Sequence, residues 1–299
     1  MNYSTLISVP QLQALIASSQ PLRIFDCTFE LMQPHTGEKQ YLESHIPGAV
    51  YANLDTALSA KHGKPGAVGV ITALGADAPA SGGRHPLPNR EKFATWLSNV
   101  GFANNMQAVV YDRNGANYCG RLWWMLKWAG IDNVAVLDGG LQAWVAEGGA
   151  VTSGEDPAHF QTHFELGPER AALVGVDTVL GNLGRPVQTL IDARGTPRFK
   201  GEVEPLDPVA GHIPGALNRP FTQNIGADGK FKPAATLKAE FEALLDGRDP
   251  ATVVHHCGSG VSALPNMIAM QIAGLGSSGL YAGSWSDWCS DTSRPVAQG

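Results

Sequence analysis

The chain has 299 residues, with 21 Lys and Arg against 27 Asp and Glu and a formal charge of −6. That length accommodates two domains of ordinary size, each with its own core, and the acidic balance argues against nucleic acid or a polybasic membrane contact as partner. No apolar run approaches the roughly 18 residues of a membrane helix, and residues 1–15 lack the basic-then-apolar pattern of a secretory signal, so a cytoplasmic location is expected. Cys27, Cys119, Cys257 and Cys289 are scattered, against both a disulfide framework and a cysteine-only zinc site.

In chain order, Ser8-Val9-Pro10-Gln11 has the form of a capping box, and Leu12, Leu15 and Ile16 fall on one face of the helix it would start. Leu22–Asp26 reads as a buried strand ending in an acid, followed by Ser44-His45-Ile46-Pro47-Gly48-Ala49-Val50. The same phrase returns as Thr189–Asp192 and Gly211-His212-Ile213-Pro214-Gly215-Ala216-Leu217. Ala108–Asp112 matches Val253–Cys257, and Leu137-Asp138-Gly139-Gly140 with Trp144 matches Tyr281-Ala282-Gly283-Ser284 with Trp288. This is an internal duplication. Strands alternate with helical patterns, so the expected fold class is α/β, two tandem domains each with a mainly parallel sheet flanked by helices. We place them at residues 1–150 and 171–299, with a linker at 151–170. A duplicated chain that makes its own two-domain contact is expected to be a monomer. Trp123, Trp124, Trp128, Trp285 and Trp288 read as packing between helices and sheet.

His255-His256-Cys257-Gly258-Ser259-Gly260-Val261-Ser262-Ala263 joins an apolar strand at Thr252–Val254 to a helical pattern at Leu264–Ala273. The two glycines let the backbone wrap so that amide N–H groups and the helix terminus face the sulfur, which favours the reactive thiolate. At the matching place the first copy carries Asp112, so only the second copy has a sulfur nucleophile. Three rival readings are weaker. A phosphatase needs an arginine at the loop end, where this chain has Val261-Ser262-Ala263. Adjacent residues of a strand point to opposite faces, so His255-His256-Cys257 does not converge on a metal. A catalytically silent binding module, as arises when such domains lose the cysteine, stays a less favoured alternative because Cys257 is present.

The repeated strand, aspartate and HIPGA phrase, with the CGSGVSA loop (257–263) only in the second copy and GSWSDW at 283–288, resembles the tandem-domain rhodanese family of sulfurtransferases over roughly residues 5–290. Within it the chain is most similar to the 3-mercaptopyruvate sulfurtransferases. The resemblance implies that Cys257 takes a sulfane sulfur as a persulfide and passes it to thioredoxin, glutathione, another thiol or cyanide, with no metal and no cofactor. Gly258, Gly260, Val261 and Ser262 would hold the sulfur anion by their amides. Thiosulfate enzymes carry basic residues directly after the cysteine; Gly258 and Ser259 are uncharged, which points to 3-mercaptopyruvate as donor and leaves thiosulfate as the alternative.

The resemblance further implies a serine, histidine and aspartate arrangement of Ser259, His85 and Asp55, the last two from the first half of the chain. Arg198 matches the family's arginine for the donor carboxylate. Arg194 completes the binding set, with a structural role in pairing local carboxylates or carbonyls. The chain departs from the pattern twice: Leu206 stands where a second substrate arginine is expected, and an insertion at about 63–83 forms a flap or a surface loop.

Overall fold

The computed structural model describes residues 2–60, 78–155 and 160–299. They divide into two compact units. The first draws on Met1–Ala78, Pro88–Arg170 and Ala227–Phe231, the second on Pro79–Leu87, Ala171–Gly226 and Lys232–Gly299. Most of the insertion, residues 63–77, lies outside the described residues, as does Pro157 of the linker.

The first unit is built on five strands, β1 (Leu6–Ile7), β2 (Leu22–Asp26), β3 (Ala49–Tyr51), β4 (Gln107–Tyr111) and β5 (Val134–Leu137). They lie in the order β1-β5-β4-β2-β3, every ladder parallel. Its helices are α1 (Val9–Ile16), α2 (Pro34–Glu43), α3 (Arg90–Asn99), α4 (Cys119–Trp128) and α5 (Gly140–Ala146). Ser8 caps α1 through the capping box that the sequence predicts, its Oγ accepting from the Gln11 N–H while the Gln11 side chain accepts from the Ser8 N–H. Val9, Leu12 and Leu15 are buried from that helix, whereas Ile16, expected on the same face, ends it exposed. These side chains pack with Ile24, Val109, Leu137 and Trp144 in one core cluster, each large one contributing about 1.5–3 kcal/mol of burial.

The second unit repeats the plan. Strands β6 (Ala172–Leu173), β7 (Thr189–Asp192), β8 (Leu217–Asn218), β9 (Val253–His256) and β10 (Gly279–Leu280) are ordered β6-β10-β9-β7-β8, again all parallel. Helices α6 (Val176–Gly181), α7 (Thr196–Lys200), α8 (Ala234–Leu245), α9 (Leu264–Ile272) and α10 (Ser284–Trp288) accompany them. Strand for strand the order equals that of the first sheet, so the α/β class and the duplication both hold. Pro265 sits in the first turn of α9, where its missing N–H leaves no helical bond unmade.

The two HIPGA histidines do the same structural work. His45 Nδ1 lies 2.7 Å from the Tyr41 carbonyl and its ring stacks on Tyr41 at 4.0 Å; His212 Nδ1 lies 2.8 Å from the Phe199 carbonyl and stacks on Phe199 at 3.8 Å. The five tryptophans singled out in the sequence are all buried. No helix among the described residues is long and apolar enough to cross a membrane.

Candidate active site

Cys257 is the first residue beyond β9, the central strand of its sheet, and is 1% exposed. Its loop is held from beneath by the turn that enters α10. The Cys257 N–H donates to Ser284 Oγ at 3.1 Å, the Trp285 N–H to the Cys257 carbonyl at 3.0 Å and the Ser286 N–H to the Gly258 carbonyl at 2.9 Å. Gly260 has φ +72°, and a Cβ there would stand 2.2 Å from the Ala282 carbonyl oxygen, so only glycine lets the loop seat this closely. Ser284 itself adopts φ +56°, uncommon without glycine, and spends that strain on an acceptor for the nucleophile's own amide. Its role was not legible in the sequence, where it is one serine in the GSWSDW stretch.

The first unit shows what such a loop is shaped to hold. Asp112 is the first residue beyond β4, the corresponding central strand, and its carboxylate turns back into the loop it opens. Oδ1 accepts from the N–H groups of Asn114 (2.8 Å) and Ala116 (3.1 Å), Oδ2 from those of Tyr118 (2.8 Å) and Cys119 (2.9 Å). Counting from the strand end, the first three correspond to Ser259, Val261 and Ala263. In the second unit those N–H groups donate to no described residue. The amides that a carboxylate fills in one copy have no acceptor among the described residues in the other.

Residues 79–87 belong to the second unit, and they bring His85 to the loop: its Nδ1 lies 2.7 Å from Ser259 Oγ, and both residues are buried. Gly83 allows the approach, since a Cβ at its φ of +88° would stand 2.4 Å from the Gly283 carbonyl oxygen. Asp55 lies in the first unit, half-buried in a turn where its N–H donates to Asn53 Oδ1 at 2.8 Å.

Arg194 is buried in the framework. Its Nε and Nη2 grip Asp192, Nη2 also reaches the Gly211 carbonyl at 2.7 Å, and the guanidinium lies 4.8 Å over the Trp285 ring. None of this leaves it facing a donor. Arg198 does reach the loop, yet the fork that the sequence offers to a donor carboxylate is already on Glu204, with Nη2 at 2.7 Å from Oε1 and Nε at 3.2 Å from Oε2. A Cβ on Gly258 would lie 3.5 Å from Arg198 Nη1 and 3.1 Å from Nη2 of Arg84, a neighbour that the sequence reading passed over. The signal was there: Arg84 directly precedes His85.

His255 and His256 are fully buried beneath the loop. Burial, with repulsion from His256 and Arg219, pushes His255 down to about 3. Burial also lowers His256, outweighing the pull of Asp192, whose Oδ2 is 3.9 Å from Nδ1. Burial raises the Asp192 carboxyl, but the neighbouring His256 and then the cationic fork of Arg194 outweigh it and keep the group below the usual range. Burial pushes the thiols of Cys27, Cys119 and Cys289 up, which keeps them protonated and unreactive. Among the described residues no group of three or more His, Cys, Asp or Glu is placed to hold a metal ion.

Comparison with known proteins agrees with this fold. The family model of the Rhodanese-like domain matches residues 8–147 and again 176–291. A Pseudomonas aeruginosa protein named as a probable 3-mercaptopyruvate sulfurtransferase is 44% identical, over all of both chains. The thiosulfate sulfurtransferase of Bos taurus is 30% identical over 96% of this chain and 92% of its own. Among solved structures, the Escherichia coli 3-mercaptopyruvate sulfurtransferase SseA superposes with a TM-score of 0.73 at 29% identity, covering 95% of this chain and 100% of that one. With the same strand order in both sheets and the family's domain matched in both halves, the chain belongs to the rhodanese-like family.

Proposed function

We propose that the chain is a sulfurtransferase that moves the sulfur of 3-mercaptopyruvate through a persulfide on Cys257 to a thiol or to cyanide. The observation that carries this is that the N–H groups of Ser259, Val261 and Ala263 have no acceptor among the described residues, where their counterparts in the first copy are filled by the Asp112 carboxylate. The thiolate of Cys257 attacks the donor sulfur; the carbon–sulfur bond breaks and its electron pair leaves as the enolate of pyruvate. Ser259 donates a proton towards that enolate and is resupplied from His85, 2.7 Å away. The terminal sulfur of the persulfide then rests on the loop amides, as the Asp112 carboxylate does in the other copy. An acceptor thiolate or cyanide attacks that sulfur and returns Cys257 as thiolate, so the cycle needs no external oxidant. The relatives named for this donor support the reading.

Thiosulfate is the second reading, favoured by the two guanidinium groups beside Gly258, which supply cations that the loop sequence lacks. Four free, buried cysteines support a reducing, cytoplasmic location, and the internal duplication supports a monomer. The test measures pyruvate release from 3-mercaptopyruvate beside thiocyanate formation from thiosulfate and cyanide, on the native chain and on Cys257→Ser. Preference for 3-mercaptopyruvate with a dead mutant supports the first reading, preference for thiosulfate the second, and turnover of neither rejects both.

A further inference from the structure

We propose that Arg84 is a donor-binding residue: its Nε/Nη2 edge takes the donor carboxylate in a bidentate grip, with Arg198 Nη1 alongside. This rests on the donor reading above. A guanidinium has one edge, Nε with Nη2, that matches the two oxygens of a carboxylate. Three arginines surround the Cys257 loop, and in two of them a protein carboxylate already occupies that edge. Asp192 takes it in Arg194, at 3.0 Å to Nε and 2.7 Å to Nη2; Glu204 takes it in Arg198. Arg84 is engaged from its other end, Nη1 to Asp207 Oδ1 at 2.5 Å. Its Nε is buried without an acceptor, and its Nη2 meets none among the described residues. A buried N–H left unmade is costly, and an incoming carboxylate relieves it.

The placement is equally specific. Arg84 Nη2 and Arg198 Nη1 stand 3.1 and 3.5 Å from the point where a Cβ on Gly258 would lie, one residue from the nucleophile. Glycine at 258 lets both guanidinium groups approach the loop this closely. Asp207, with only 4% of its side chain exposed, holds the two cations together, its Oδ2 reaching Arg198 Nη2 at 3.1 Å. The Arg84 N–H is anchored on Ser286 Oγ at 2.9 Å. Arg84, Arg194 and Arg198 are balanced by Asp192, Glu204 and Asp207, so what distinguishes Arg84 is its unpartnered edge rather than surplus charge. The absence of surplus charge favours a monoanionic carboxylate over a dianion. Arg84 also accounts for Leu206: the second arginine comes from a segment more than a hundred residues upstream.

The test is calorimetric binding of 3-mercaptopropionate, which keeps the thiol and carboxylate of the donor but has no ketone and releases no sulfur, and of its neutral amide. Native chain, Arg84→Leu and Arg84→Lys are compared, with kinetics on 3-mercaptopyruvate. Arg84→Leu is expected to lose about 10- to 100-fold in affinity for the acid and much less for the amide. Its KM for 3-mercaptopyruvate rises by a similar factor while kcat changes by less than about threefold. Arg84→Lys keeps the charge without the fork and falls between. Equal affinity for the acid in the native chain and Arg84→Leu overturns the proposal. If acid binding depends on Arg84 but the native chain releases no pyruvate, the carboxylate site stands and the choice of donor falls. If Arg84→Leu fails to fold by its circular-dichroism melt, Arg84→Lys decides: native affinity for the acid overturns the proposal, a loss of about threefold or more supports it.

Discussion

Nδ1 of His85 lies 2.7 Å from Oγ of Ser259, a contact across 174 positions of sequence between two buried side chains. A donor that leaves as an enolate needs a proton where thiosulfate, which leaves as sulfite, does not. Ser259→Ala is therefore expected to lower kcat for 3-mercaptopyruvate by about 100-fold or more, and His85→Ala to do the same. Transfer from thiosulfate should fall far less in each. Parallel losses with both donors would mean that the pair shapes the loop instead of moving a proton.

Gly260→Ala tests the seating of the loop. The added Cβ meets the Ala282 carbonyl oxygen at 2.2 Å on a backbone whose φ is +72°, so backbone must move, at a cost of at least about 2 kcal/mol. Urea unfolding should show the loss, and sulfur transfer should drop with it because the loop amides no longer converge on Cys257.

Asp112→Asn tests the first copy. The buried carboxylate accepts four N–H groups, and an amide in its place turns a donor towards two of them. A loss of about 2–4 kcal/mol is expected on chemical denaturation. An unchanged midpoint would show that the loop re-forms around water.

Stability should fall on acidification through the two histidines under the loop. In the folded chain His255 stays neutral down to about 3, while in the unfolded chain it takes up a proton below its ordinary value near 6.5. Between those limits the unfolded state binds more protons, so stability is full above pH 6.5 and declines towards pH 3, by about 1.4 kcal/mol per pH unit for each such histidine. His256, lowered by the same burial, adds to the slope. Asp192 has the opposite form: its lowered carboxyl stabilises above its ordinary value near 4 and loses that contribution only at more acidic pH. Unfolding midpoints measured from pH 7 to pH 4.5 should therefore decline steeply in the native chain and less steeply in His255→Leu; equal slopes would contradict a neutral His255.

The sequence by itself determined the duplication, the α/β class, the strand ends at Asp112 and Cys257 and the buried role of the tryptophans. Each of these is written in local periodicity or in a phrase a few residues long that recurs in the second half of the chain, and short-range backbone preferences enforce them. Only the tertiary structure decided which groups face the sulfur. Residues 79–87 carry Arg84 and His85 into the second unit, Glu204 closes the fork of Arg198, and Ser284 reaches the Cys257 amide. A guanidinium edge is open or filled according to which carboxylate arrives within about 3 Å of it. That depends on packing between segments far apart in the chain, which no local pattern encodes.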